Sequence, residues 1–202
     1  MYSYCFIIIN YQMTTDVYKR LAYHLSTLGM GYGPANELEE ILRSNFSILE
    51  AEAALLLPTK VAPLRPASVK DIASGTSWTV EELKQILEKL SQRGLLFSGK
   101  TKDGEVGYCL HQLAYGFPQS FFWKGEMTDH TKKMAHLVSW MGRSIDFGAT
   151  ATKFCRYVPS HHTIGGEKEA VFPFDMMQKL IEKTKVIAVA HCPCRVSAKL
   201  KG

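Results

Sequence analysis

Thr79-Val80-Glu81-Glu82-Leu83-Lys84-Gln85-Ile86-Leu87-Glu88-Lys89-Leu90 is the stretch that decides how this 202-residue chain folds. Thr79 followed three residues later by Glu82 is a capping box: hydroxyl and carboxylate each take up a backbone N–H that a first helical turn leaves unpaired. Val80, Leu83, Ile86, Leu87 and Leu90 then recur at helical spacing, so one apolar stripe runs along the helix, and Gly94 is placed to end it. Working outward, Ser68 to Ser74 predicts a short helix and Gly75 to Trp78 a turn ahead of the longer one. Beyond it Leu95 to Phe97 has strand character, Lys100 to Gly104 reads as a turn, and Val106 to Leu110 as a returning strand.

A further helix opens at Ser47, where Glu50 makes a second capping box before the run Ala51 to Leu57, ended by Pro58. Together these elements predict a winged-helix arrangement. Upstream, Thr15 or Asp16 caps a helix with Val17, Leu21, Leu25 and Leu28 on one face, broken by Gly29 to Pro34, and Asn36 with Glu39 begins another through Leu38, Ile41 and Leu42. Pro58 to Pro66, with three prolines, is a linker. Met1 to Gln12 reads equally as an extension ahead of a start at Met13 or as an extra edge strand.

Downstream, Leu113, Tyr115, Phe117, Phe121, Phe122 and Trp123 form an aromatic cluster of the kind that fills cores. Thr128 onward predicts a helix with Met134, Leu137, Val138, Met141 and Ile145 inward and Lys132, Lys133, His136 and Arg143 elsewhere. In the last quarter Phe154 to Val158, Ala170 to Phe174 and Val186 to Ala190 have strand character, and Asp175 is placed to cap a short helix through Leu180 and Ile181. The fold class is α+β. The expected organisation is an extension at 1–13, a helical and winged-helix domain at 14–110, a linker helix with a small α+β unit at 111–190, and a separate terminal segment at 191–202.

Composition is that of a globular protein, 46% hydrophobic and 21% charged. The apolar stretch Cys5 to Ile9 is far short of the roughly 20 residues a membrane helix needs. The net charge of +5 is scattered rather than gathered in runs. On the helix from Thr79 to Gly94, Glu81, Glu82 and Glu88 balance Lys84, Lys89 and Arg93; on the wing, Asp103 and Glu105 balance Lys100 and Lys102. Phosphate neutralisation supplies most nonspecific DNA affinity, so a neutral reader helix and wing argue against nucleic acid and for a structural or protein-docking module.

Five cysteines, an odd number, favour free thiols or metal ligands in a reducing, cytoplasmic setting over a disulfide framework. Cys192 and Cys194, separated by Pro193 and followed by Arg195, are the most chemically pointed pair, since CxC can place two thiolates on one metal or iron–sulfur centre. Cys109 and Cys155 read as core, and His161 and His162 as a solvated loop that, joined to Cys192 and Cys194, would make a Cys2His2 zinc site. No nucleophile elbow, phosphate loop or dinucleotide fingerprint is present, and CxC is not the spacing of a thioredoxin-like site. No motif of the sequence marks the chain as an enzyme.

The run Val186-Ile187-Ala188-Val189-Ala190-His191-Cys192-Pro193-Cys194-Arg195, preceded by Val171-Phe172-Pro173-Phe174-Asp175 and a short helix, resembles a family of ferredoxin-related four-iron four-sulfur proteins of anaerobic prokaryotes. The resemblance extends over about Thr15 to Gly202, because that family also carries a winged-helix-like region ahead of a CxCR element. It implies that Cys192 and Cys194 bind a 4Fe-4S cluster, that Arg195 is the accompanying basic residue, and that a redox protein is the partner. In that family further cysteines follow; their absence before Gly202 leads to the expectation of a C-terminally truncated product. The alternative is a winged-helix transcriptional regulator whose CxC senses metal or redox state.

Overall fold

The computed structural model describes residues 15–28, 32–33, 35–112, 117–144 and 174–202. Its elements are α1 (Val17–Ser26), α2 (Asn36–Asn45), α3 (Ile48–Leu55), β1 (Ala67–Ser68), α4 (Val69–Ala73), α5 (Val80–Gln92), β2 (Leu96–Lys100), β3 (Val106–Leu110), a 3-10 turn (Gln119–Phe122), α6 (Asp129–Ser144), α7 (Phe174–Lys183) and α8 (Pro193–Lys201). They fall into two compact units, residues 1–145 with 191–202, and residues 146–190. The terminal segment at 191–202 thus packs with the helical unit, and the 111–190 stretch divides after residue 145.

Local chemistry explains the helix starts. Asp16 caps α1 through Tyr18 N–H at 3.0 Å. At α3, Ser47 Oγ accepts from Glu50 N–H at 3.3 Å while Glu50 Oε2 accepts from Ser47 N–H at 2.8 Å. Thr79 and Glu82 make the same reciprocal pair at α5. Asn36 does not cap as its spacing predicted: it is the first helical residue of α2, and extended Ala35 holds the cap position without a side-chain bond.

The apolar stripes meet in one core. Leu21, Leu38, Ile41, Leu42, Leu83, Leu87, Leu90 and Met134 are fully buried, each worth roughly 1.5–3 kcal/mol of transfer free energy. Phe117 and Phe122 join them, with Tyr32 set edge-on to Phe117 at 5.7 Å, so the described part of the aromatic cluster is core. On α6, Met134, Leu137 and Met141 face inward while Lys132, Lys133 and His136 face solvent. The rest of that cluster, Leu113 to Tyr115, and Ile145 lie outside the described residues.

The sheet is antiparallel in the order β1-β3-β2, with Leu96 opposite Leu110, Lys100 opposite Val106, and Ser68 opposite Gly107. Gly104, at φ 80°, turns the hairpin. Only glycine suits position 107, because a Cβ there would fall 2.4 Å from Ala67 O.

Of residues 146–190, the described ones form α7 and an irregular tail. Phe174 opens α7, so Asp175 lies inside that helix, and the strand character of 154–158 and 170–173 falls on residues outside the description. Val186 to Ala190 is not the strand its composition predicted: it has no regular structure, and Val186 and Val189 are 83% and 91% exposed. A strand needs a neighbour for its N–H and C=O groups, and no described residue pairs with this run. Among the described residues no helix is long and apolar enough to cross a membrane.

Candidate thiolate site

Cys192 and Cys194 stand at the start of α8, not in a loop at the end of a strand. Cys192 is the cap residue at φ −66° and ψ 113°, Pro193 takes the first helical position, and Cys194 and Arg195 follow in the first turn. Proline suits that place, since its missing N–H has no helical acceptor there and its fixed φ is already helical. The first helical bond, Val196 N–H to Cys192 O, is 3.0 Å long. Leu200, buried, and Val196, half-buried, dock α8 against the core, in contact with α6 and the 3-10 turn. His191 N–H donates to Trp123 O at 2.9 Å and ties the residue before the pair to the end of that turn.

Both thiols are free and exposed. The backbone N–H of Arg195 beside its sulfur holds the Cys192 thiol below its ordinary range. Slight desolvation opposes this, and the Cys194 N–H, the Arg195 guanidinium and the Cys194 thiol add to it. No side-chain cap hydrogen bond closes at Cys192, so the amides act on sulfur largely as the dipoles of a helix N-terminus. Cys109 is the opposite case: it is 2% exposed in β3, burial pushes its pKa up to about 11, and it belongs to the core as expected.

These observations define which metal chemistry the residues suit. Two exposed sulfurs separated by one residue, with Cys192 biased toward thiolate, match the soft ligands of iron–sulfur and zinc centres and would hold two positions of such a group. Among the described residues no three His, Cys, Asp or Glu side chains converge on one point. His161 and His162, needed for the Cys2His2 alternative, lie outside the described residues, as do Cys5 and Cys155. Sequence reasoning named Cys192, Cys194 and Arg195 but missed His191, whose N–H bonds Trp123 O next to them. The available signal was its place directly before the pair.

On the helical unit, the cations near α5 and the hairpin are partly engaged within the protein. Arg93 pairs with Glu50 at 2.6 Å and also bonds Asn45 O, and Lys70 pairs with Glu105 at 3.1 Å. The chain matches no known protein family, no curated protein and no solved structure.

Proposed function

We propose that this chain belongs to an iron–sulfur electron-transfer protein, with Cys192 and Cys194 as two thiolate ligands of a 4Fe-4S cluster and a redox protein as partner. The observation that carries this reading is the pair itself: two exposed thiols two residues apart, in the N-terminal turn of a docked helix, with Cys192 biased toward thiolate. Bound there, the cluster would supply one-electron transfer. The chain's own contribution is to hold the two sulfurs, to offer the first-turn N–H groups of α8 toward an anionic group, and to place the Arg195 charge nearby. Residues 47–110 act in this reading as a winged-helix scaffold, supported by the element order α3-β1-α4-α5-β2-β3 and the sheet order β1-β3-β2.

The test is anaerobic reconstitution with iron and sulfide in the presence of a small thiol, followed by absorbance and EPR. The wild-type chain takes up cluster and Cys192→Ser/Cys194→Ser does not. Equal uptake by both, or none by the wild type, overturns the proposal. The same element order favours a second reading, a winged-helix regulator with a sensing CxC. Its formally neutral α5 and hairpin weigh against it, and tight, salt-sensitive binding to duplex DNA would establish it in place of the scaffold.

A further inference from the structure

Gly125 is held at φ 70°, and its N–H donates to Phe122 O at 3.0 Å, which closes the 3-10 turn. The His191 imidazole lies directly on it. A Cβ at Gly125 would fall 2.6 Å from His191 Cδ2 and 2.8 Å from Cγ and Nε2, closer than side-chain carbons approach ring atoms. Three ring atoms within that distance mean that the ring rests flat on bare backbone rather than touching it at an edge. Two residues earlier, Trp123 O accepts the His191 N–H at 2.9 Å. One short segment therefore grips His191 twice, by its backbone and by its ring, immediately before Cys192.

We propose that Gly125 and His191 form a seat that positions the two thiols of the CxC pair for joint coordination of a thiophilic group. The inference rests on the proposed function only for the identity of that group; the seat concerns the sulfurs themselves. A cap residue has freer backbone than the helix it precedes, so fixing residue 191 on both backbone and ring fixes where the Cys192 sulfur stands relative to Cys194 in the first turn. Gly125 and His191 are positioning residues and touch neither sulfur's ligand. Two separate features favour glycine at 125, the left-handed backbone and the space beneath the imidazole. Gly75 shares the first without the second, with φ 77° and nothing within 4 Å of a built Cβ.

Phenylarsine oxide reads the geometry directly. Its As=O bond is replaced by two As–S bonds, two thiol protons leave with the oxygen as water, and arsenic stays trivalent; the probe therefore closes only on two sulfurs held together. Peptide mass spectrometry assigns the adduct to Cys192 and Cys194. Gly125→Asn, which tolerates positive φ but adds the Cβ, and His191→Ala each weaken capture by roughly threefold to tenfold, as loss of preorganisation does. The double variant loses no more than the stronger single one, and Gly75→Asn binds like the wild type.

Wild-type capture by both His191→Ala and Gly125→Asn, or losses that multiply in the double variant, overturns the seat. Should Gly125→Asn fail to fold by circular dichroism, His191→Ala, which removes the ring and keeps the N–H bond to Trp123 O, decides alone. Failure of the two ideas is separable. A wild type that takes up no iron–sulfur cluster while the variants still lose arsenical capture refutes the electron-transfer reading and keeps the seat; equal arsenical capture with normal cluster uptake does the reverse.

Discussion

Tyr32→Phe tests the joint on which the candidate site depends. Tyr32 is 1% exposed, and its hydroxyl lies 3.0 Å from both His111 O and Phe117 O, so one proton is shared between two carbonyls that have left the sheet and are about to enter the 3-10 turn. That turn leads to Trp123 and Gly125, which grip His191. Phenylalanine keeps the ring and its edge-on contact with Phe117 and removes only the oxygen.

A neutral hydrogen bond contributes about 1 kcal/mol net, and leaving a buried acceptor unpaired costs about 1–3 kcal/mol, so the loss should be about 2 kcal/mol. For a unit of this size that lowers Tm by roughly 4–8 °C, measured by calorimetry at pH 7.5. A second arm uses pH. Burial raises the Tyr32 pKa well above its ordinary value. The unfolded tyrosine ionises near pH 10 and the buried one does not, so stability is intact below pH 10 and falls as pH rises past it. Tyr32→Phe removes this loss, leaving a shallower slope from Tyr108 and Cys109, whose values burial also raises. An unchanged Tm, or an unchanged alkaline slope, would refute the reasoning.

Gly107→Ala places a methyl group 2.4 Å from Ala67 O and 2.6 Å from Thr101 Cγ2; the backbone must give, and we expect about 1–3 kcal/mol of destabilisation with faster amide exchange where β1 meets β3. Glu50→Ala removes half of the α3 capping box and the Arg93 bridge together and should cost about 1 kcal/mol in urea unfolding, whereas Glu50→Gln keeps an acceptor for Ser47 N–H and should cost less. His24, whose Nε2 bonds Leu57 O at 2.8 Å, and His111 both have pKa values lowered by burial, so the unfolded chain takes up their protons first. Stability should be full above about pH 6.5 and fall as pH drops below it, with a flatter urea-midpoint profile in His24→Gln/His111→Gln; equal midpoints for the wild type at pH 7.5 and 5.5 would exclude this.

The parts of the fold that were legible in the sequence are those with local causes. The capping boxes at Ser47 and Thr79, the apolar stripe through Leu83, Leu87 and Leu90, and the glycine after Arg93 each act within a few residues, and β3 fell on Val106–Leu110 as read. What was not legible depends on distant partners. β1 is two residues long and exists only because β3 lies beside it, with Gly107 making room. Val186 to Ala190 has the composition of a buried strand, but composition cannot supply a pairing neighbour. Cys192 and Cys194 were found by spacing alone, yet their setting was misread, because Pro193 suits a rigid loop and a helix start equally and only the docking of Leu200 selects the helix. The contact between Gly125 and His191 joins residues 66 positions apart and leaves no periodic trace.

Which feature of α8 biases Cys192 can be separated by one substitution. The Arg195 backbone N–H is the largest influence and the guanidinium a smaller one. Arg195→Gln keeps the N–H and removes the charge, so most of the lowering should survive it. The N–H lies beside the sulfur and acts within the first turn, while the guanidinium charge acts through solvent and is screened more strongly, so raising salt from about 0.05 to about 0.5 M should shift the wild type toward the variant by more than it shifts the variant. The assay is the pH dependence of iodoacetamide alkylation at Cys192, read by peptide mass spectrometry. A return of the Cys192 profile to that of an ordinary thiol in Arg195→Gln would show that the guanidinium, not the helix start, makes the sulfur a thiolate. The placement of the pair in the first turn of α8 would then lose its chemical meaning.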